Sequence, residues 1–350
     1  MSKLVVVVGA TGGQGGGVVS AFLEDPTFKV RGITRNVDSS KAKGLTARGV
    51  EMVQADINDQ ASLDRAFQGA HIIFAVTDYY EHFFKHGKDV AMETETQYGT
   101  NLAKAAAKIP MLERYIWSTL PLTSALSQGK AVVPHFEGKG RVDAFIKQHL
   151  PELYEKTVFC IFTIFAENLT AYPIFKPVWL VGSLTVCTSF QKPLTKKTLQ
   201  EAAQKWIQFY PTSPDAPYAS VGDHRTNTGV FVRSIVRNPP PQPGTYIKCG
   251  VEELTLESML ALWGRASGKA PTPGSTKVVQ VSVKQYVELF GAMGEEQASQ
   301  WVFFEWMKEA GVSTIPGVTM MDVQELMSDE EKGKLVGTEQ ALRGMDWTDF

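Results

Sequence analysis

LVVVVGATGGQGGG, residues Leu4–Gly17, decides how the rest of the chain is read. Leu4 to Val8 form a continuous apolar run, the pattern of a strand buried on both faces of a parallel sheet. The run stops at Gly9, and glycines then recur at Gly12 and Gly15, before VVSAFL supplies the apolar content of a helix packing back on the sheet. A strand, a tight glycine turn and a helix N-terminus together make a phosphate cradle. Gly9 permits the turn, Gly12 lets a pyrophosphate approach the backbone, and Gly15 lets helix and strand lie close. The unpaired N–H groups and the helix dipole attract the phosphate charge. The spacing therefore predicts dinucleotide binding at the start of the chain.

Working outward, KVRGIT (Lys29–Thr34) reads as a second strand that stops at Arg35, where the adenosine ribose of a dinucleotide would lie. An acidic residue there suits a free 2′-hydroxyl and a cation suits a 2′-phosphate, so Arg35, followed by Ser39, Ser40, Lys41 and Lys43, predicts NADP(H). VEMVQADI (Val50–Ile57) is a third strand that brings Asp56 and Ile57 to the adenine side, although Asp56 could equally cap a turn. HIIFAVT (His71–Thr77) is a fourth strand, leading into DYYEHFFKHGKD, read as a loop rich in aromatics. His82 and His86 in that loop have no acidic or cysteine partner in metal-site spacing, and no metal is expected. METETQYGTNLAKAAAKI is a helix, RYIWST (Arg114–Thr119) a fifth strand, PHFEGKGRVDAFIKQHL mostly helix, and TVFCIFTIF (Thr157–Phe165) a sixth strand. Strands and helices alternating in this way predict an α/β, doubly wound parallel sheet of the Rossmann kind.

Beyond residue 165 proline becomes frequent and the pattern irregular. The expected division is an NADP-binding domain over 1–165 and a smaller C-terminal α+β substrate or lid domain over 166–350, with part of it (about 212–250) returning to the core. In QASQWVFFEWMKEAG, Trp301, Phe304 and Met307 fall near one helix face, which suits a core or a pocket wall.

The totals exclude several classes. With 350 residues, 43% hydrophobic and 21% charged, the composition is that of a globular protein. A net charge of −2 gives no electrostatic case for nucleic acid. No apolar run approaches the roughly 18 to 20 residues that span a bilayer, and no signal peptide is expected ahead of the glycine turn. Cys160, Cys187 and Cys249 read as buried thiols in a reducing compartment, so a cytoplasmic protein is expected, monomeric or homodimeric.

The segments VVVGATGGQGGGVV, ITRN, ADIND, FAVT, YIWST, HFEGKGRVDAFI and IFAENL, in that order, resemble the NmrA-like family, an atypical branch of the short-chain dehydrogenase/reductase superfamily. The likeness runs from about residue 1 to 310. It implies a Rossmann domain with a small C-terminal domain, bound NADP, and either reduction of a small-molecule substrate or redox sensing through a protein partner. It places Gly9, Thr11, Gly12, Gln14 and Gly15 at the pyrophosphate and Arg35 at the 2′-phosphate. Asp56 and Ile57 would meet the adenine, Ala75 to Thr77 the adenosine side, and Lys139 with Phe165 to Asn168 the nicotinamide.

Short-chain dehydrogenases use a serine followed by Tyr-x-x-x-Lys. Here the spacing persists as His135-x-x-x-Lys139 after Ser118, without the tyrosine. His135 and Lys139, at i and i+4, would share a helix face, the lysine holding ribose and the histidine serving as candidate proton donor. The expected function is an NADPH-dependent reductase of a medium-sized organic substrate, with a non-catalytic NADP(H) sensor as the alternative. An epimerase of nucleotide sugars is disfavoured by the missing tyrosine.

Overall fold

The structure, a computed structural model, describes residues 2–180 and 204–350. Cys187 and Pro193 lie outside the described residues.

The buried valines after Lys3 form the strand β1 (Lys3–Val7), an inner strand of a sheet that has eight strands among the described residues. Its neighbours are β2 (Phe28–Thr34) on one side and β4 (Ile72–Ala75) on the other, with β3 (Glu51–Gln54) beyond β2. Past β4 come β5 (Arg114–Thr119) and β6 (Thr157–Phe162), and every one of these pairings is parallel. The strand order reverses between β1 and β4, which opens a crevice at the carboxyl ends of the strands, where ligands bind in such sheets.

Period-two alternation divides the core. Val5 and Val7 pack with Val18, Val19 and Phe22 of the first helix (Gly13–Leu23). Val6 and Val8 face the opposite layer, which includes Leu102, Val142 and Ile146 of the helices Lys88–Ala107 and Pro134–His149. Among the described residues, no helix is long and apolar enough to cross a membrane.

Thr157–Phe165 is not one strand. Thr163 donates its hydroxyl to the Ala219 carbonyl at 2.7 Å, and the chain leaves the main sheet there. The continuation, β7 (Ile164–Phe165), pairs instead with a C-terminal strand, Pro217–Gly222, in a small second sheet. DYYEHFFKHGKD is likewise not a loop: Tyr80–His86 is a helix, because the Asp78 carboxylate accepts the N–H groups of Tyr80 (3.0 Å) and Glu81 (3.3 Å).

Later segments return to the main sheet. Tyr246–Cys249 pairs in parallel with β6, and Met320–Asp322 extends that edge by one more strand. The helix His224–Arg237 lies across the first helix at backbone contact. A Cβ at Gly17 would overlap the Arg225 carbonyl, and one at Gly229 would overlap the Gly17 carbonyl. A third core, around Trp263, Trp301 and Tyr286, holds the remaining C-terminal elements together. Trp301 is fully buried, edge-on to Tyr210 at 4.9 Å. The long C-terminal helix Val283–Glu309, broken at Gly291 (φ 59°), reaches back from this core to the crevice.

Candidate functional site

The glycine turn is held shut by its own backbone. Gly9 adopts φ +69°, a conformation that L side chains rarely take, and the Gly12 N–H donates to its carbonyl at 2.9 Å. A Cβ at Gly15 would overlap that same Gly9 carbonyl, so helix and turn can close only on glycine. Gly12 is the N-cap without a side-chain cap, and the N–H groups of Gly13, Gln14 and Gly15 have no carbonyl behind them in the helix. An oxyanion is the natural partner for such a cradle. Thr11 lies on the turn itself, and Gln14 accepts a hydrogen bond from Ser118 Oγ at 2.8 Å, tying the turn to the end of β5. The residues present therefore fit a dinucleotide's diphosphate.

Arg35 follows β2 directly and is 70% exposed, but it is engaged. Its Nη1 lies 2.8 Å from Glu81 Oε1 on the Tyr80–His86 helix, and Lys85 approaches the same carboxylate at 3.5 Å. Arg35 holds the Glu81 carboxyl below its ordinary range, and Glu81 in turn raises the guanidinium pKa. Asp56 accepts the Asn58 N–H at 2.9 Å, capping a turn, while the Ile57 carbonyl accepts from Asn101 Nδ2 at 3.0 Å. Ala75 ends β4, fully buried.

Lys139 is buried on the helix Pro134–His149, which proline starts at its first turn. Its Nζ donates to the Thr77 carbonyl (3.1 Å) and hydroxyl (2.9 Å) and lies 3.0 Å from Glu95 Oε1. The Thr77 hydroxyl donates to the same Glu95 oxygen at 2.8 Å. Thr77 is thus bound up with the lysine. The face of Trp117 lies 5.4 Å from Nζ. Glu95, buried like the lysine, is drawn close because residue 138 is glycine; a Cβ there would stand 2.8 Å from Glu95 Oε2. One turn further along the helix, burial pushes the Asp143 carboxyl up to about 7, although Thr119, Tyr246 and Trp117 all donate to it.

His135 shares the helix but points to other partners. Its Nδ1 lies 2.6 Å from Glu296 Oε1 and its Nε2 2.9 Å from Gln300 Oε1, both on Val283–Glu309. Its backbone N–H donates to Glu296 as well, at 3.1 Å. Tyr79 donates its hydroxyl to Glu296 Oε2 at 3.1 Å, and burial followed by that carboxylate drives the phenol pKa upward. The structure therefore sets His135 and Lys139 one helical turn apart, the histidine tied to the C-terminal helix and the lysine to Thr77 and Glu95.

Phe165 ends β7 with its ring stacked on His224 at 4.8 Å, and Asn168 opens the short helix Asn168–Ala171. Glu95, Glu296, Gln300 and His224 escape the motif reading, since none lies in a recognisable spacing with the residue it contacts. Other clefts lie away from the crevice. One, of about 500 Å³, is lined by Lys3, Phe28, Ile72 and Arg114 at the amino-terminal edge of the sheet.

The family model of the NmrA-like family matches residues 1–330. The chain belongs to the NmrA-like family. An NmrA-like family domain-containing protein of Dictyostelium discoideum is 26% identical over 273 residues, which is 77% of this chain and 79% of that one. An NmrA-like family domain-containing oxidoreductase of Aspergillus hancockii is 24% identical over 271 residues, 77% of this chain and 73% of its own. Among solved structures, NmrA, a negative transcriptional regulator in complex with NADP, superposes with a TM-score of 0.69 at 20% identity, over 98% of this chain and 95% of its own. The Citrobacter triphenylmethane reductase complexed with NADP(H) gives 0.62 at 14% identity, over 97% and 99%. These two likenesses establish the fold, and both neighbours bind a nicotinamide dinucleotide.

Proposed function

We propose that this protein is an NADPH-dependent reductase acting on a C=C, C=N or C=O bond of a medium-sized organic substrate. The observation that carries the reading is the buried Lys139–Thr77–Glu95 triad, set at the carboxyl end of β4 within the crevice that the glycine turn opens. When bound, NADPH supplies the hydride. The chain's own residues do the rest. Gly9, Thr11, Gly12, Gln14 and Gly15 seat the diphosphate, and Arg35 takes the 2′-phosphate. Asp56, Ile57 and Ala75 border the adenosine; Phe165 and Asn168 border the nicotinamide. Lys139 Nζ sits between Thr77 and Glu95 and turns toward the ribose hydroxyls. The Aspergillus relatives named as oxidoreductases support the reading.

His135 is the candidate proton donor of this scheme. To deliver a proton, Nε2 must leave Gln300 while Glu296 supports the charged ring from Nδ1. NADPH consumption against a panel of enones, quinones and imines tests the scheme with wild type, Lys139→Ala and His135→Gln. Lys139→Ala is expected to weaken both cofactor binding and turnover. His135→Gln is expected to cut turnover about 10²- to 10⁴-fold with the NADPH dissociation constant near wild type. Full turnover in His135→Gln removes the histidine from the chemistry.

A second reading is favoured by one observation: both ring nitrogens of His135 and the Lys139 ammonium already have protein partners. Under it the protein is a non-catalytic NADP(H) sensor that signals its redox state to a protein partner, and the likeness to a negative transcriptional regulator supports it. It requires that no panel member be reduced. It also requires that NADPH and NADP⁺ protect the helix Val283–Glu309 differently in amide hydrogen exchange.

A further inference from the structure

His224 stands at the rim of the glycine turn. It opens the helix His224–Arg237, whose N-cap Asp223 accepts the Thr226 N–H at 2.7 Å. Three separate segments fix its ring. Phe165 stacks on it with centroids 4.8 Å apart and planes 23° from parallel. Glu167 Oε2 lies 2.8 Å from Nδ1. The other edge of the ring rests on Gly13, where a Cβ would overlap Nε2 and stand 2.5 Å from Cδ2. Gly13 is the first residue of the first helix, so Nε2 stands against the start of the helix that the turn opens. The absence of a side chain at residue 13 is what admits the imidazole.

We propose that His224 is a ligand of the cofactor's diphosphate and takes up a proton as the diphosphate binds. The inference rests on the NADP(H) reading of the site. Glu167 Oε2 stands 2.8 Å from Nδ1, and Nε2 is the ring nitrogen on the side of Gly13 and the turn. A diphosphate arriving there adds negative charge to a ring already backed by a carboxylate, which favours the imidazolium. Nε2 then donates a charge-assisted hydrogen bond. Among the described residues, the groups recorded against the ring are Glu167 (charged), Phe165 and Gly13 (uncharged). On its own helix the flanking charges are Asp223, turned to the Thr226 N–H, and Arg225.

Isothermal titration of the full chain tests this, run at pH 7.5 in buffers of different ionisation enthalpy. The three probes are NADP⁺, 2′-phospho-ADP-ribose (no nicotinamide) and 2′-phosphoadenosine (no diphosphate). Wild type is expected to take up a fraction of a proton with the first two probes and none with the third. His224→Gln is expected to abolish that uptake and weaken the first two probes about tenfold to a hundredfold, leaving the third unchanged. Glu167→Gln, a second variant outside the helix, is expected to reduce the uptake as well. Tight NADP⁺ binding by wild type without proton uptake overturns the proposal. So does His224→Gln with wild-type affinity and uptake; in both cases the cofactor reading stands. Failure of wild type to bind any nicotinamide dinucleotide overturns the cofactor reading together with this one.

Discussion

Arg35 gives the sharpest quantitative test of cofactor choice, because the structure shows what it must give up. Its guanidinium is 70% exposed and lies 2.8 Å from Glu81. A charge-assisted hydrogen bond to a 2′-phosphate is worth about 1.5–3 kcal/mol. Releasing an exposed pair such as Arg35–Glu81 costs about 0.2–1 kcal/mol. The net preference is about 0.5–2.8 kcal/mol, or roughly 2- to 100-fold in Kd at about 1.4 kcal/mol per tenfold. Arg35→Ala is expected to weaken NADPH by that factor and to leave NADH within about twofold, since NADH has no group there to lose. Glu81→Gln is expected to act in the opposite direction. It frees the guanidinium and removes a like charge facing the phosphate, tightening NADPH about two- to fivefold. In the double variant the Glu81 effect should vanish. Fluorescence titration of both cofactors in about 0.1 M and 0.5 M salt measures this, and the NADPH advantage should shrink at the higher salt, where exposed charges are screened. An unchanged NADPH-to-NADH ratio in Arg35→Ala, or weaker NADPH binding in Glu81→Gln, refutes the reasoning.

Three other outcomes follow from the same geometry. Gly12→Val places a branched side chain where Gly12 now stands 3.2 Å (measured from an added Cβ) from the Gly9 carbonyl, and should abolish cofactor binding while circular dichroism reports an intact fold. Gly17→Val drives a side chain into the Arg225 carbonyl, and chemical denaturation should show a loss of about 1–3 kcal/mol or more. Asp143, with its folded pKa pushed up to about 7 and an unfolded value of about 3.9, binds more protons folded than unfolded in that window. Stability should therefore fall as pH rises from about 4 to about 7, and Asp143→Asn should flatten that slope in a thermal-shift series. A slope identical in the variant assigns the pH dependence to other groups.

The sheet is legible in the sequence because buried parallel strands need continuous apolar runs, and β1 and β6 have them. The glycine turn was legible for a different reason: its spacing is imposed by backbone overlap, at Gly15 against Gly9 above all. The boundary at Thr163 was not, since Ile164 and Phe165 are as apolar as the strand before them. What ends β6 is a hydrogen bond to Ala219, a residue 56 positions away. The helix Tyr80–His86 is not legible in the sequence because its aromatic run hides the periodicity; the Asp78 carboxylate, accepting the N–H groups of Tyr80 and Glu81, marks where it starts.

The charged partners at the site were hidden more deeply. Glu93 and Glu95 sit two apart in METETQYG, chemically the same and in the same helix. Glu93 reaches Arg141 at 2.6 Å at the surface, while Glu95 meets Lys139 at 3.0 Å and is fully buried. A helical period tells which side of the helix faces inward, but not which residue of another helix comes to meet it there. Gly138, which lets Glu95 in beside Lys139, is the local mark of that meeting, and it can be recognised only once the two helices are placed together. The same holds for Gly13 and His224, separated by more than half the chain. At both places the missing side chain in one element is the imprint of a polar side chain from another. Glycines that no turn requires are therefore where a sequence of this family should be searched for residues its motifs leave out.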